Sequence, residues 1–170
     1  ELGKVSDVSI EYWYANSFVP SDEIKIKMDG WYSGGIEVVF ACGGLLFASV
    51  VAAADEANPK GWVIGVDVDQ SPLSERFITS AYKDLATTTT DLLTKLYANG
   101  GTWPADLAGQ YTLLGASAKA VGLPTNGWKF TNFTVDQYNA LFAKIVDGSL
   151  VVSNDETVAP TVEIAVDYLS

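Results

Sequence analysis

The chain has 170 residues, 48% of them hydrophobic, which is enough for one globular domain, or for one domain with an appendage, around a sizeable core. Its 10 basic and 21 acidic side chains give a formal charge of −11, which disfavours nucleic-acid phosphates as partners. The chain contains no histidine, so Ser-His-Asp and Cys-His catalysis and histidine-ligated zinc or iron are excluded.

Strand and helix patterns alternate through the first half of the chain. Runs of β-branched and aromatic residues predict strands, and apolar residues at helical spacing after a capping residue predict helices. The predicted elements are a strand over 8–14, a helix between Ser21 and Gly34, a strand over 36–42, a helix over 45–57 and a strand over 62–66. The last of these strands is an apolar run that stops at Asp67 and Asp69.

The second half continues the alternation less regularly. We expect residues 103–127 to form a loop-rich connection, with QYTLLGAS (110–117) as a strand candidate. The other predicted elements are a strand over 77–81, a helix capped by one of Thr87 to Thr90, a helix from Val135 that ends at Gly148, and final strand candidates over 149–152 and 162–166. This order predicts an α/β fold with a mainly parallel, doubly wound sheet.

Polar or flexible residues follow two of the buried strands where each strand ends. Asp67 and Asp69 follow the third strand, and Gly43-Gly44 follows the second. The carboxyl ends of parallel strands form the edge at which α/β proteins bind ligands. The glycine pair is not a GxGxxG motif, and the chain has no GxxxxGK[ST], so the spacing fits neither a dinucleotide site nor a P-loop and disfavours phosphate binding. We therefore expect a shallow site for a neutral, hydroxylated ligand.

Lys83 and Phe18 are expected at the same edge. An ammonium and a carboxylate together can hold a vicinal diol, and an aromatic ring can stack on a planar ligand. Each residue also has a simpler interpretation: the aspartates cap the following loop, Lys83 is a solvated surface residue, and Phe18 belongs to the core. We interpret Cys42, the one cysteine, as a small buried thiol.

Six segments occur in an informative order: ANSFVPSDEIK, GGIEVVFACGG, WVIGVDVDQ, ITSAYKDL, YTLLGASAKAVGLP and ALFAKIVDGSL. In this order they resemble the second half of the basic membrane protein family, the substrate-binding lipoproteins of ABC transporters that include bacterial purine-nucleoside receptors. The resemblance covers nearly the whole chain. Its most specific part is IGVDVDQ followed by TSAYK.

The resemblance implies a type I periplasmic-binding-protein fold, in which two α/β lobes joined by three crossovers close on a ligand. Residues 1–84 and 128–170 would form the second, C-terminal lobe, and residues 85–127 would pack on a first lobe outside this chain. The opening segment ELGKVSDV has no signal-peptide features. From these residues, either the protein is cytoplasmic or an export segment has been removed. Because the chain begins at a position like the entry to the first strand of the second lobe, the resemblance implies that the first lobe, the export signal and the lipidated cysteine lie outside it and that it is a fragment.

The resemblance also implies the ligand-binding residues. The ribose hydroxyls of a nucleoside would lie against Asp67 and Lys83, and its base would lie beside Phe18. Leu45-Leu46 and Cys42 depart from the small or polar residues usual in the family, which would make the pocket more apolar. The complete implied set is Asp67, Lys83, Phe18, Gly43, Gly44 and Asp69, of which Asp69 is expected mainly to shape the loop.

The expected function is extracytoplasmic solute binding for an ABC importer, with a nucleoside or similar hydroxylated molecule as ligand. The expected partners are that ligand and an ABC permease, with the membrane reached only through an N-terminal lipid anchor; an exposed lobe interface would favour self-association. No catalytic residue, cofactor or metal is expected. Two alternatives are the effector-binding domain of a LacI-type transcriptional regulator and a nucleoside-processing enzyme that uses Asp67 and Asp69 as an acid/base pair.

Overall fold

The computed structural model describes residues 8–153, 155, 157–158, 162 and 164–169. Strands and helices alternate through most of this range. The elements are β1 (Ser9–Trp13), α1 (Asp22–Ser33), β2 (Val38–Phe40), α2 (Phe47–Glu56), β3 (Trp62–Asp67), β4 (Phe77–Lys83), α3 (Leu85–Ala98), β5 (Val121–Gly122), α4 (Val135–Val146) and β6 (Ala165–Leu169).

The described strands form two separate sheets. The larger has the order β2-β3-β4-β5, with β2, β3 and β4 parallel and the short β5 antiparallel to β4. The smaller contains β1 and β6, which are parallel. The α/β class and the mainly parallel sheet are confirmed. The structure adds that β1 pairs with the distant β6 and is not hydrogen-bonded to β2.

The hydrophobic core lies where α1 and α2 pack on β2, β3 and β4. Its most completely buried large side chains include Phe77 on β4, Val63 on β3 and Val50 on α2. The helices are also joined by polar contacts, because the Ser49 hydroxyl donates to the Ser21 carbonyl oxygen at 2.9 Å and accepts from the Ser21 N–H at 3.0 Å. These contacts hold the start of α1 against α2.

Of the two N-caps that the sequence predicted, the structure confirms the one of α1 and not the one of α3. The Ser21 hydroxyl accepts from the Ile24 N–H at the start of α1, as predicted. The prediction that one of Thr87 to Thr90 caps α3 is wrong. The Asp84 carboxylate caps that helix because it accepts from both the N–H and the hydroxyl of Thr87, at 2.9 and 2.8 Å. The helix therefore begins at Leu85, and the threonines lie inside it.

Two strand candidates are wrong and one is displaced. Residues 110–117 form no strand, and the short β5 lies beyond them. Residues 149–152 form no strand either. Their first residues belong to a turn after α4, in which the Leu150 N–H donates to the Lys144 carbonyl oxygen and the Ser149 N–H donates to the Asp147 carboxylate. The last strand begins at Ala165, not at Val162, and extends to Leu169.

The helix α3 packs differently from α1 and α2. None of its residues is buried, and Leu85, Leu93 and Tyr97 expose much of their apolar surface. Within the part of the chain that the structure describes, no helix has both the length and the apolar character needed to cross a bilayer.

Candidate ligand-binding site at the carboxyl edge of the sheet

The carboxyl end of β3 is shaped by a tight turn at Asp67. The Val68 N–H donates to the Val66 carbonyl oxygen at 2.8 Å, which closes a three-residue turn centred on Asp67. Asp67 has a φ of 68°, in the left-handed region that few residues other than glycine adopt. Strained conformations of this kind concentrate at functional sites. The turn places the Asp67 carboxylate at the edge of the sheet.

Asp67 and Lys83 meet across neighbouring strands at this edge. Asp67 pairs in register with Tyr82 on β4, and the Lys83 ammonium donates to Asp67 Oδ1 at 2.8 Å. The side chains are 45% and 60% exposed, respectively, so solvent and ligands can reach both. An exposed ion pair contributes only about 0–1 kcal/mol to folding. Its polar groups therefore remain available to a ligand at little cost in stability.

The neighbours of Lys83 favour its charged form. The hydrogen bond to Asp67, together with the charge of that carboxylate, raises the pKa of Lys83 above its ordinary value of 10.5. A smaller contribution in the same direction comes from Cys42, and slight burial opposes it. The ammonium is therefore protonated at neutral pH and can donate hydrogen bonds to oxygen atoms of a ligand.

The strand end that carries Lys83 is held by the neighbouring β5. Lys83 pairs in register with Val121, and the Asp84 N–H donates to the Ala120 carbonyl oxygen at 2.8 Å. Gly122 on β5 leaves room for the Tyr82 hydroxyl, because an added Cβ would lie 3.0 Å from that oxygen. The position of Lys83 thus depends on residues 120–122, which follow α3 in the chain.

Phe18 and the glycine pair form a second part of the edge. The Leu45 N–H donates to the Phe18 carbonyl oxygen at 2.8 Å, which joins the segment after β1 to the segment after β2. Gly44 has a φ of 49°, and a Cβ there would lie 2.9 Å from the Phe18 carbonyl oxygen. A larger residue would therefore push the two segments apart. The Phe18 ring is 75% exposed and so does not belong to the core.

Asp69 has a structural partner in the same loop. Its Oδ1 accepts from the Ser71 N–H at 3.0 Å, at the start of the short 3-10 helix Ser71–Leu73. This hydrogen bond shapes the loop after β3. Loop shaping is the simpler of the two roles considered for the aspartates that follow this strand.

Gln70 supports the end of β3 through buried hydrogen bonds, and the sequence analysis did not identify it. Gln70 is 5% exposed, its side-chain oxygen accepts from the Val66 N–H at 3.2 Å, and its own N–H donates to Ser80 Oγ at 3.0 Å. Gly65 makes room for this arrangement, since a Cβ there would lie 2.5 Å from Gln70 Oε1. A glycine inside an otherwise β-branched strand was the available signal.

Cys42 differs from its interpretation as a buried thiol, because its side chain is exposed. It follows β2 at the same edge of the sheet, and it is close enough to Lys83 to affect its pKa. Among the described residues, no group of three or more cysteine, aspartate or glutamate side chains is placed to hold a metal ion.

The fold agrees with a comparison to known protein families. A family model described as "ABC transporter substrate-binding protein PnrA-like" (Bmp) matches residues 5–156. The chain belongs to this family. Its resemblance to basic membrane proteins is thereby confirmed, and membership of the Bmp family favours neither the transcriptional regulator nor the enzyme.

Similar members of the Bmp family are considerably longer than this chain. Basic membrane protein B of Borreliella burgdorferi is 31% identical over 147 residues, which cover 86% of the chain and 40% of that protein. The ABC transporter nucleoside-binding protein BmpA of Lactococcus lactis subsp. cremoris is 29% identical over 124 residues, with coverages of 64% and 35%. The chain thus spans less than half the length of these relatives.

A solved structure supports the fold. The crystal structure of an ABC transporter system solute-binding protein from Aeropyrum pernix K1 matches with a TM-score of 0.60 and 16% sequence identity. The match covers 82% of this chain and 46% of that one. At this identity the likeness shows the architecture, a solute-binding-protein lobe, and does not show the ligand.

Proposed function

We propose that this chain forms one lobe of an extracytoplasmic solute receptor for an ABC importer, and that the lobe binds the ribose hydroxyls of a nucleoside. The observation that carries the proposal is the exposed pair formed by Asp67 and Lys83, 2.8 Å apart at the carboxyl edge of the sheet. Family membership supports solute binding in general, and the name of the Lactococcus relative supports the nucleoside.

The two charged groups have complementary roles in this proposal. The Asp67 carboxylate accepts hydrogen bonds from the two ribose hydroxyls, and the Lys83 ammonium donates to a hydroxyl oxygen. The exposed ring of Phe18 provides a face on which the base stacks. These contacts hold a ligand without breaking a bond in it, and the chain acts as a binding module, not as an enzyme.

The exposed apolar surface of α3 supports a two-lobed receptor. Leu85, Leu93 and Tyr97 need a covering surface, and the similar relatives are more than twice as long as their matched part. In this proposal, residues 85–127 pack on a first lobe, whereas 1–84 and 128–170 form the second. Contacts to both lobes at once stabilise a closed conformation, so this chain alone binds weakly. The permease recognises the closed receptor.

The ribose contact is tested by an NMR titration of this chain with inosine, guanosine and adenosine. We expect saturable shifts of the backbone amides of Gly44 and Val68, which flank the proposed site. The matched ligand 2′,3′-dideoxyinosine lacks both ribose hydroxyls. Since hydrogen bonds to charged groups contribute about 1.5–3 kcal/mol, it should bind roughly tenfold or more weakly than inosine.

A pair of isosteric variants identifies the residue responsible. Asp67→Asn should abolish the preference for inosine over 2′,3′-dideoxyinosine. Asp84→Asn removes the same charge one residue after Lys83, but asparagine is an equally good N-cap, so binding should not change. Equal affinities of the wild-type chain for the two ligands, or an unchanged preference in Asp67→Asn, would show that the carboxylate does not bind the ribose.

A further inference from the structure

The described strands leave a gap inside the lobe, between β1 and β2. Within the described residues β1 pairs only with β6 and β2 only with β3, so each has one edge without a neighbouring strand. The carboxyl ends of β1 and β2 reach the same edge of the lobe, where the Leu45 N–H donates to the Phe18 carbonyl oxygen. The two strands therefore run in the same direction on either side of a cavity of about 670 Å³.

The cavity has the dimensions of one short strand. Neighbouring strands lie about 4.8 Å apart, sheets pack about 10 Å apart and a strand rises about 3.3 Å per residue, so a residue in a sheet occupies roughly 160 Å³. The cavity thus holds about four residues, compared with five in β1 and three in β2. Among the described residues that line it there is no aspartate, glutamate, lysine or arginine, which suits an apolar strand.

The open edge of β2 presents backbone groups to this cavity. The Ala41 N–H donates to the Ile64 carbonyl oxygen on β3. Successive residues of a strand direct their N–H groups to opposite sides, so the N–H groups of Val39 and Ala41 point to β3. Those of Val38 and Phe40 point to the cavity. An edge strand of this kind is a template for the pairing of a further strand.

The apolar face opposite α1 and α2 is uncovered beside the gap. Trp13 and Val39 pack in the core against those helices, so the alternation along β1 and β2 places Ile10, Val38 and Phe40 on the opposite face. These three side chains are 45%, 41% and 50% exposed, respectively. An uncovered apolar face beside an unfilled gap indicates that the complete sheet has both a further strand and a further helix.

The handedness of strand connections relates these two elements. The chain runs from β1 to β2 through α1 and from β2 to β3 through α2, and the two helices pack on each other. Crossovers between parallel strands are right-handed, so a connection that runs back across the sheet to β1 carries its helix on the other face. A parallel strand and a helix that precede β1 would therefore fill the gap and cover the face as one unit. An antiparallel strand joined by a tight turn would leave the face exposed.

We propose that a parallel strand inserts between β1 and β2, that it precedes Glu1 in the full-length receptor, and that the helix joining it to β1 covers Val38 and Phe40. The similar relatives have more than half their length outside the match, which is ample for a strand and helix of about 30 residues. The strand order then reverses beside Phe18, where doubly wound sheets bind ligands. This inference concerns the sheet and does not rest on the ribose contact.

Hydrogen exchange measured by NMR tests the insertion. The 170-residue chain is compared with the same chain extended by about 40 preceding residues of the receptor. In the shorter chain the amides of Val38 and Phe40 should exchange rapidly, and the extension should slow them roughly a hundredfold or more. Val39 is the control within the same strand, because its N–H points to β3 and should be protected in both chains.

A pair of variants tests the covering helix. Phe40→Thr should change the urea midpoint of the 170-residue chain little, because half of the ring is exposed there. In the extended chain, where the helix covers the ring, the same substitution should lower the midpoint by roughly 0.5–1 M. Ile26→Thr is the matched control, since Ile26 is an exposed apolar residue of α1 outside the proposed contact and should shift both midpoints equally.

Three results would overturn the proposal. The first is rapid exchange of the Val38 and Phe40 amides in the extended chain. The second is slow exchange of these amides in the monomeric 170-residue chain, since β1 would then have closed the gap. The third is slow exchange only at concentrations at which sedimentation shows a dimer, since the inserted strand would then come from a second copy. Loss of nucleoside binding would refute the ribose contact and leave all three measurements unaffected.

Discussion

Replacing Gly65 by alanine tests the packing that supports the site. Gly65 lies in the middle of β3, and an added Cβ would lie 2.5 Å from Gln70 Oε1 and 2.6 Å from Ser80 Oγ. Both distances are shorter than real Cβ contacts. Either the strand or the two polar side chains must move, and the buried hydrogen bond from the Val66 N–H to Gln70 is lost in the process.

The expected cost follows from these two effects. Overpacking of a well-packed interior costs about 1–3 kcal/mol. A buried hydrogen bond contributes about 1 kcal/mol net, and a partner left unsatisfied adds to that loss. Together they predict that Gly65→Ala lowers the free energy of unfolding by about 2–4 kcal/mol, a large part of the 5–15 kcal/mol typical of a domain.

Urea unfolding followed by tryptophan fluorescence measures this change. Gly30→Ala is the matched control, since Gly30 lies inside α1 with nothing within 4 Å of an added Cβ. Alanine is the better helix former, so this variant should gain about 0.5–1 kcal/mol. The reasoning is refuted if Gly65→Ala retains the wild-type urea midpoint and slope, because the strand would then accommodate the methyl group without strain.

Three further predictions concern stability. Phe77→Ala should lower the free energy of unfolding by about 3–5 kcal/mol in the same urea assay, because the ring is fully buried; a loss below about 1 kcal/mol would contradict that burial. Thr134→Ala removes the capping box of α4 and should cost about 1 kcal/mol, seen as faster hydrogen exchange in that helix and not in α1. The Thr87 N–H and hydroxyl hold the pKa of Asp84 below its ordinary value of 3.8. The stabilisation from Asp84 is therefore complete above the unfolded-state pKa and lost as the pH falls through the lower folded pKa; a carboxyl titration by NMR at or above 3.8 would contradict it.

The sequence predicted most elements because local patterns specify them. The serine before α1, the glycines after it and the apolar spacing within it are short-range signals, and the structure agrees with all three. The α3 cap was mispredicted because a run of threonines imitates a capping site. The actual cap is an aspartate that follows a strand directly, so the signal lay outside the threonine pattern.

The proposed site shows where local patterns stop being informative. The apolar run that starts at Trp62 and ends before Asp67 indicated the edge of the sheet. Nothing local, however, indicated that Gln70 folds back under β3 or that Cys42 is exposed. The burial of Gln70 and the exposure of Cys42 depend on which side chains meet across neighbouring strands. A single sequence does not contain that information.

The sequence by itself determined the alternation of strands and helices, the family of the chain and the position of the two aspartates at a strand end. These follow from periodicity, capping and motif order, which are properties of neighbouring residues. Only the tertiary structure decided that Asp67 pairs with Lys83 and that β1 pairs with β6, leaving a cavity beside β2. Such contacts join residues far apart in the chain, and their geometry is set by packing of the whole lobe.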